Sequence, residues 1–455
     1  MSRCPLCPGI HNCVSGDGPE SSTYCLLEAP GQTEDRKGIP LCGKTGDETN
    51  RHYFPIAGFR RADIRVDNAI SCLPPGPDGK LDSKKRKDLD LLQSCADHHV
   101  YPYLERVKPT LIIPMGSFAC RAIDPDIDLE LQHGFPVKTS WGTAFPMYHP
   151  AGGIHEPKKM LLIRTDWTRL RKHLIGKLQL PVDKFAGSTQ YQEVTSCSHL
   201  HSILECKAYS VMACDTEVKR GGDPFCLTFS IREGTGYLIR ASRLDILETF
   251  QNYLDQWHNY ILFHNWLFDG QVVKRMGLSF PAKHIRDTMV KVFSLGNLPQ
   301  GLKALAYREL GMGMQDFTDL VTPYAKPLVL DYYRQAMLED WPKPEGEMVR
   351  DKDGKWRVYQ PQSFGTKLKR FFTDYSKNEE KDPFDAWSNW DTCHEMVERE
   401  LGPWPGRCIT YVPFEKVIHY ACRDADATLR LWPILKWMNH RVRKAPQEHW
   451  NDRAA

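Results

Sequence analysis

At 455 residues the chain is longer than one hydrophobic core fills, and two or three domains are expected. It is 41% hydrophobic and 26% charged, the composition of soluble globular protein, and a net charge of +3 excludes a globally basic nucleic-acid binder, so any such binding must come from local patches. No apolar run is long enough to span a bilayer, the N-terminus lacks a secretory signal's apolar core, and 15 cysteines without such a signal point to free thiols and metal ligands in a reducing cytoplasm.

The expected class is α/β throughout. Residues 1–176 alternate apolar strands with loops and helices, closing on a basic amphipathic helix around Asp166-Trp-Thr-Arg-Leu-Arg-Lys-His. Residues 177–207, with Pro, Gly, Ser, Thr and Gln, predict a linker. A second α/β pattern covers 208–438, interrupted at 313–410 by an insertion rich in Trp, Pro and charge, and 439–455 is a tail.

Cys4-Pro-Leu-Cys7 is a ready-made chelate for zinc or an iron–sulfur cluster, with Cys13, Cys25, Cys42, Cys72, Cys95 and Cys120 available to complete it. Two unrelated buried thiols are the plain alternative. Tyr24-Cys-Leu-Leu-Glu28-Ala29-Pro-Gly31 is an apolar strand breaking into an acidic turn that continues to Glu34 and Asp35. Gly38-Ile-Pro-Leu-Cys-Gly43-Lys44-Thr45 has phosphate-loop spacing, but Asp35-Arg-Lys stands where a buried strand belongs and Pro40 removes a cradle N–H. No nucleotide site is expected there. Further strands end at Asn68, at Gly116 and at His149-Pro150-Ala151, so four strand ends present a carboxylate, an amide and an imidazole.

These blocks, in this order over about residues 1–176, resemble the uracil-DNA glycosylase superfamily, specifically its iron–sulfur class, family 4. The matching residues are Cys4-x-x-Cys7, Glu28-Ala-Pro-Gly31-x-x-Glu34-Asp35-x-x-Gly38-x-Pro40, Gly43-x-x-Gly46, Asn68-x-x-x-Cys72-x-Pro-Pro75, Cys95 and His149-Pro-Ala151. The resemblance implies a three-layer α/β domain with a central parallel sheet and a [4Fe–4S] cluster on Cys4, Cys7, Cys72 and Cys95. The Cys72–Cys95 spacing is longer than usual and holds Lys84-Lys-Arg-Lys87, which leaves zinc or an empty site as alternatives. It also implies that Glu28 or Glu34 positions water beside an oxocarbenium-like sugar, as carboxylates do in glycoside hydrolysis. His149 then donates to uracil O2, and Asn68 reads the O4/N3 edge of a flipped-out base. Ala29, Leu41, Pro150 and Ala151 would line the base pocket, and Gly152-Gly-Ile154-His155 would supply a wedge. Two positions depart from the family: Leu41 stands where an aromatic residue stacks on uracil, and Leu27 where a small residue precedes the glutamate.

In the second region Val211-Met-Ala-Cys-Asp215-Thr-Glu217 reads as a buried strand carrying two carboxylates on one face. Such a pair is either a solvated strand end or half of a divalent-metal site. Tyr260–His264 predicts a strand and Asn265-Trp-Leu-Phe-Asp269 a helix start. Asp287 is an N-cap candidate, Gly301 to Gly311 a helix with a glycine stop, and Phe414 to Thr428 a long helix. Tyr420 and Asp424, four apart, share a helical face, whereas Asp426 points elsewhere and reads as a surface or capping acid. Within the insertion, Met348–Val358 predicts a hairpin turning at Asp353-Gly354, and Trp341, Trp356, Trp387, Trp390 and Trp404 serve either a small core or a docking surface.

Asp215-x-Glu217, Asn265-x-x-Phe268-Asp269, Asp287-Thr-Met, Gly301-Leu-Lys-x-Leu-Ala and Tyr420-x-x-x-Asp424-Ala-Asp resemble the tyrosine variant of the DEDD 3′–5′ exonucleases, most closely the proofreading domain of family-A DNA polymerases. That implies a ribonuclease H-like domain with a mixed sheet. It also implies two Mg²⁺ or Mn²⁺ ions held by Asp215, Glu217, Asp269 and Asp424, with Tyr420 orienting the attacking water. The chain ends at Ala455 with no polymerase region in view, so the expected partners are DNA, as single-stranded 3′ ends and uracil-containing strands, and a separate polymerase of phage-type replication. No membrane partner is expected. The competing functions are a bifunctional enzyme, an exonuclease whose first domain only inspects DNA, and a non-enzymatic replisome adaptor.

Overall fold

The computed structural model describes residues 4–7, 12–74, 81–82, 85–205, 211–341, 345–359, 362–379, 381–384 and 394–444. The chain divides into two compact units, residues 1–186 with 288–313 and 430–455, and residues 187–287 with 314–429.

The first unit is built on a five-stranded sheet in the order β2 (Arg65–Asn68), β1 (Thr23–Leu27), β3 (Leu111–Pro114), β5 (Gly142–Ala144) and β4 (Val137–Thr139). All neighbours are parallel except β4 with β5. β1 is apolar on both faces, as a central parallel strand must be: Tyr24 and Leu26 enter one core, Cys25 and Leu27 the other. The helix Pro157–Leu174 closes the second core with fully buried Trp167. The expected boundaries of the second domain shift here. The helices Thr288–Leu295 and Leu302–Leu310 belong to this first unit, where Val292, Leu298 and Leu305 form a cluster with Leu431 and Leu435.

The second unit carries a six-stranded mixed sheet. Its order is β11 (Ile285–Asp287), β10 (Tyr260–Phe263), β7 (Val211–Val218), β8 (Pro224–Ser230), β9 (Thr235–Arg240) and β6 (Gln190–Glu193). β7, β8 and β9 are antiparallel, while β10 runs parallel to β7, β11 to β10, and β6 to β9. β6 and the helix Cys197–Leu204 correct the expected 177–207 linker. β6 is an edge strand of alternating exposure, Gln-Tyr-Gln-Glu, so it has no apolar run to announce it. The insertion forms its own core, in which Trp341 and Trp404 are buried with Tyr333, Phe364, Leu368 and Phe371. Its hairpin, β12 (Glu347–Arg350) with β13 (Trp356–Tyr359), turns at Gly354 as expected and leaves Trp356 exposed. Trp387 and Trp390 lie outside the described residues.

Two candidate active sites

In the first unit the candidate residues gather at the C-terminal edge of the parallel strands, where α/β sheets build their sites. Glu28 follows β1, Asn68 ends β2, and His149 caps the short helix Pro150–His155. Glu28 Oε1 accepts the Phe118 N–H at 3.0 Å and the Ser117 hydroxyl at 3.2 Å. Gly116, with φ 101°, lies against this carboxylate, and any Cβ there would collide with it. Asn68 is 2% exposed and its Nδ2 has no acceptor among the described residues, so a buried amide donor is left for a ligand. His149 Nδ1 accepts the Ala151 N–H at 3.3 Å, which assigns the ring proton to Nε2. Burial lowers the pKa of this imidazole, against the pull of Glu28 and Glu34, favouring the neutral Nε2–H donor.

Glu34 and Leu41 take other positions than expected. Both Glu34 oxygens accept backbone N–H groups, from Gly31 at 3.1 Å and Gly43 at 3.2 Å, so its carboxylate ties two loop segments together. Leu41 is 4% exposed and packs into the core with Cys25, Leu27, Tyr53 and Phe54, at the left-handed φ of 58°. Its carbonyl fills the space where a side chain at Gly46 would go, which explains that glycine in the Gly43-x-x-Gly46 block. Ala29 is half-buried beside the other core, Pro150 is buried and Ala151 supplies the N–H that orients His149.

The cysteines also sort themselves. Cys4 Sγ lies 3.2 Å from Cys95 Sγ, the Cys95 thiol is raised by its hydrogen bond with Cys72 and by burial, and the Cys7 N–H closes a turn on the Cys4 carbonyl at 3.0 Å. This all-sulfur donor set suits a soft metal or cluster. Cys13 joins the neighbourhood, its backbone forming an isolated antiparallel β-bridge with that of Cys72 and its Sγ lying 3.9 Å from His99 Nε2. Cys25 and Cys120 are buried elsewhere, in the opposite core and against the Pro114 carbonyl.

In the second unit Asp215, Glu217 and Asp424 bring one carboxylate oxygen each to within 4.8 Å of one another. Asp215 and Glu217 come from one face of β7, and Asp424 from the helix Phe414–Lys444. The buried Thr228 hydroxyl bridges the two elements, lying 3.3 Å from the Asp215 carbonyl and 3.2 Å from that of Ala421. Tyr420, one turn before Asp424, is 9% exposed, and burial and then the charges of Glu217, Asp424 and Asp215 raise its pKa. Asp269 stands outside the trio: it is 2% exposed, Oδ1 accepts the Thr216 hydroxyl at 2.6 Å, and burial pushes its pKa up to about 7. Thr216 is a site residue missed in sequence, although it stands between the two acids. Asp287 accepts the N–H groups of Trp266 at 2.8 Å and Asn265 at 3.3 Å, anchoring the start of the helix that carries Asp269. Asp426, expected at the surface, is fully buried, accepting the Tyr191 hydroxyl and the Gly234 N–H at 2.8 Å each. It pins β6 and the turn before β9 to the long helix.

Residues 16–171 match the family model for the uracil DNA glycosylase superfamily. The chain is 24% identical over 199 residues to a type-4 uracil-DNA glycosylase of Sulfurisphaera tokodaii, covering 41% of this chain and 85% of that one. It is 29% identical over 187 residues to the type-4 enzyme of Archaeoglobus fulgidus, covering 39% and 89%. Among solved structures, Brucella melitensis NrnC aligns at 12% identity and a TM-score of 0.29, over 59% of this chain and 86% of that one, a likeness too slight to carry an argument.

Proposed function

We propose, from the premise that residues 16–171 are a uracil-DNA glycosylase superfamily domain, that this chain excises uracil from DNA with its first unit and hydrolyses 3′ ends with its second. An Asn68 Nδ2 donor with no acceptor among the described residues, and a His149 held as an Nε2–H donor, carry the first half of the reading. As the glycosidic bond breaks, negative charge grows on uracil O2, where the His149 Nε2–H donates. Asn68 donates to O4, which cytosine replaces with an amino group, and Glu28 aligns water on the sugar. Cys4, Cys7, Cys72 and Cys95 would hold a [4Fe–4S] cluster, which would tie the N-terminal segment to the loops that carry Cys72 and Cys95.

The trio of Asp215, Glu217 and Asp424 carries the second half, with the mixed sheet that a ribonuclease H-like domain requires in support. These acids would hold Mg²⁺ or Mn²⁺, and Asp269 would join them on releasing Thr216. Bound divalent ions supply a hydroxide nucleophile and neutralise the leaving 3′-oxygen. Tyr420, kept protonated beside three acids, donates its hydroxyl to orient the water. In this reading the enzyme serves DNA repair and replication alongside a separate polymerase.

A uracil-containing oligonucleotide incubated in EDTA and then treated with alkali tests both halves. Chelation silences the exonuclease, and a break at uracil reports base removal. With Mg²⁺ restored, Asp215→Ala is expected to abolish digestion of 3′-labelled single strands, and digestion by that variant at the wild-type rate sinks the nuclease assignment. A second reading, inspection without excision, rests on Leu41, whose burial in the core leaves the uracil-stacking position without its ring. Intact strands after alkali, single and double alike, favour it.

A further inference from the structure

We infer that Arg308, a residue far outside the family-matched segment, positions the catalytic histidine of the glycosylase site, an inference that rests on the excision reading above. Arg308 lies on the Leu302–Leu310 helix, within the first unit, and is almost entirely buried. Its Nη2 meets Asp166 Oδ1 at 2.8 Å, and its Nη1 donates to the His133 carbonyl at 3.3 Å. The other Asp166 oxygen lies 2.6 Å from His133 Nδ1, and both Asp166 and His133 are sealed from solvent. Burial pushes the Asp166 carboxyl up, but His133 and Arg308 outweigh it and hold the group below the usual carboxylate range. Gly134, at φ 75°, makes room for the Asp166 carboxylate, since a Cβ there would collide with it.

From this ion cluster two contacts run to the segment that carries His149. The His133 ring lies 4.4 Å from the Tyr148 ring, and the Gly134 N–H donates to the Pro146 carbonyl at 2.9 Å. Tyr148, the residue before His149, is fixed at its far end by a 2.7 Å hydrogen bond from its hydroxyl to Glu130. The helix of Arg308 adds apolar support through Tyr307, whose ring meets Phe135 edge-on at 5.4 Å. The path Arg308–Asp166–His133–Tyr148–His149 is therefore continuous, every link lies inside the first unit, and its first member comes from residues 288–313.

Arg308 touches neither DNA nor base in this account; it acts through the cluster. Removing it leaves Asp166 buried with only His133, and His133 loses the donor to its carbonyl. The 133–135 turn then no longer holds the flank of the His149 loop, and the Nε2–H donor drifts from uracil O2. A misplacement of about an ångström costs roughly a hundredfold in rate.

The test uses the full chain. In EDTA, single-turnover uracil excision by Arg308→Met is expected to fall about tenfold to a hundredfold while the dissociation constant for the uracil-containing strand stays within about twofold. Arg308→Lys, which keeps a charge against Asp166 but cannot span both acceptors, preserves the fold and is expected to fall between the two. Tyr148→Phe keeps the ring that meets His133 but releases its far end from Glu130, loosening the same path at its other end. On a shared path the double variant Arg308→Met/Tyr148→Phe is expected to be no slower than the slower single, whereas independent structural damage multiplies the losses. Multiplied losses overturn the inference, and so does excision by both Arg308 variants at the wild-type rate. A wild-type chain that leaves uracil in place overturns the excision reading itself, and the inference with it.

Discussion

A histidine that lends a proton to a developing anion must keep a neutral ring and must present the correct nitrogen. His149 meets the first demand by burial and the second by spending Nδ1 on the Ala151 N–H. His149→Ala is expected to slow excision by about 10²- to 10³-fold, the loss typical of one oxyanion donor, measured in single turnover. Because burial holds the imidazole pKa down, the wild-type rate should stay flat as pH falls through the ordinary histidine value of about 6.5. A fall in rate centred there would mean that the ring gains a proton and that the assignment is wrong. Asp67, beside Asn68, gives a stability signature. Burial raises its pKa to about 6, so the folded state binds the proton more tightly than the unfolded chain. That contribution is complete below about pH 4 and is lost as pH rises through about 6, on the order of 2–3 kcal/mol in all. Denaturant melts of wild type and Asp67→Asn should diverge over that window, the wild type losing more stability as pH increases. At this scale the sequence was informative where spacing alone decides. The i, i+2 pair Asp215 and Glu217 brings its carboxylate oxygens within 4.8 Å of each other and of Asp424, and Tyr420, four residues before Asp424, feels the charge of all three. Asp269 was legible as a neighbour but not as the partner of Thr216, because one-dimensional spacing does not tell which of two buried groups a carboxylate will face.

Elements fix what residues cannot. The loop through Leu41 and the five-residue helix Lys44–Glu48 meet so closely that Gly46 is the only residue the contact accepts. Gly46→Ala is expected to destabilise the first unit by about 1–3 kcal/mol, the range for overpacking, read from denaturant midpoints at constant slope. Asp426 does the corresponding work in the second unit. Asp426→Ala strands the Gly234 N–H and the Tyr191 hydroxyl, at about 1–3 kcal/mol each. Limited proteolysis near β6 should then accelerate, and an unchanged cleavage rate would show that β6 is held by other means. The buried Asp426 and the edge strand β6 both escaped sequence reasoning. A helix that packs on two sides hides a structural acid two residues from a candidate metal ligand, and an edge strand half in solvent shows no apolar alternation. The parallel strands of the first unit and the β7 strand were legible because burial on both faces demands continuous apolar runs.

At the scale of the whole molecule, the units are not consecutive in the chain. A cut after residue 186, which composition recommends, removes the helices Thr288–Leu295 and Leu302–Leu310 from the unit they complete. Residues 1–186 produced alone are expected to lose about 3–5 kcal/mol through the loss of Arg308 from buried Asp166, which keeps only His133, beyond the loss of the cluster around Leu305. Hydrogen exchange along the Pro157–Leu174 helix should be faster in that fragment than in the full chain, and equal protection would contradict the assignment of Arg308. Sequence reasoning placed the Gly301–Gly311 helix correctly as a helix. It assigned that helix to the wrong body because helical periodicity shows that a face is buried and not which core receives it.

The buried pair of Arg308 with Asp166 also sets a clock on synthesis. On a ribosome adding about 5–20 residues per second, Arg308 emerges roughly 7–28 s after Asp166, and until then the buried acid of the first unit has His133 beside it but not its guanidinium partner. The nascent glycosylase segment is expected to stay protease-sensitive through that interval and to close only when most of the chain has been made. Arrest of translation before and after residue 308 would show this as a step in protease resistance.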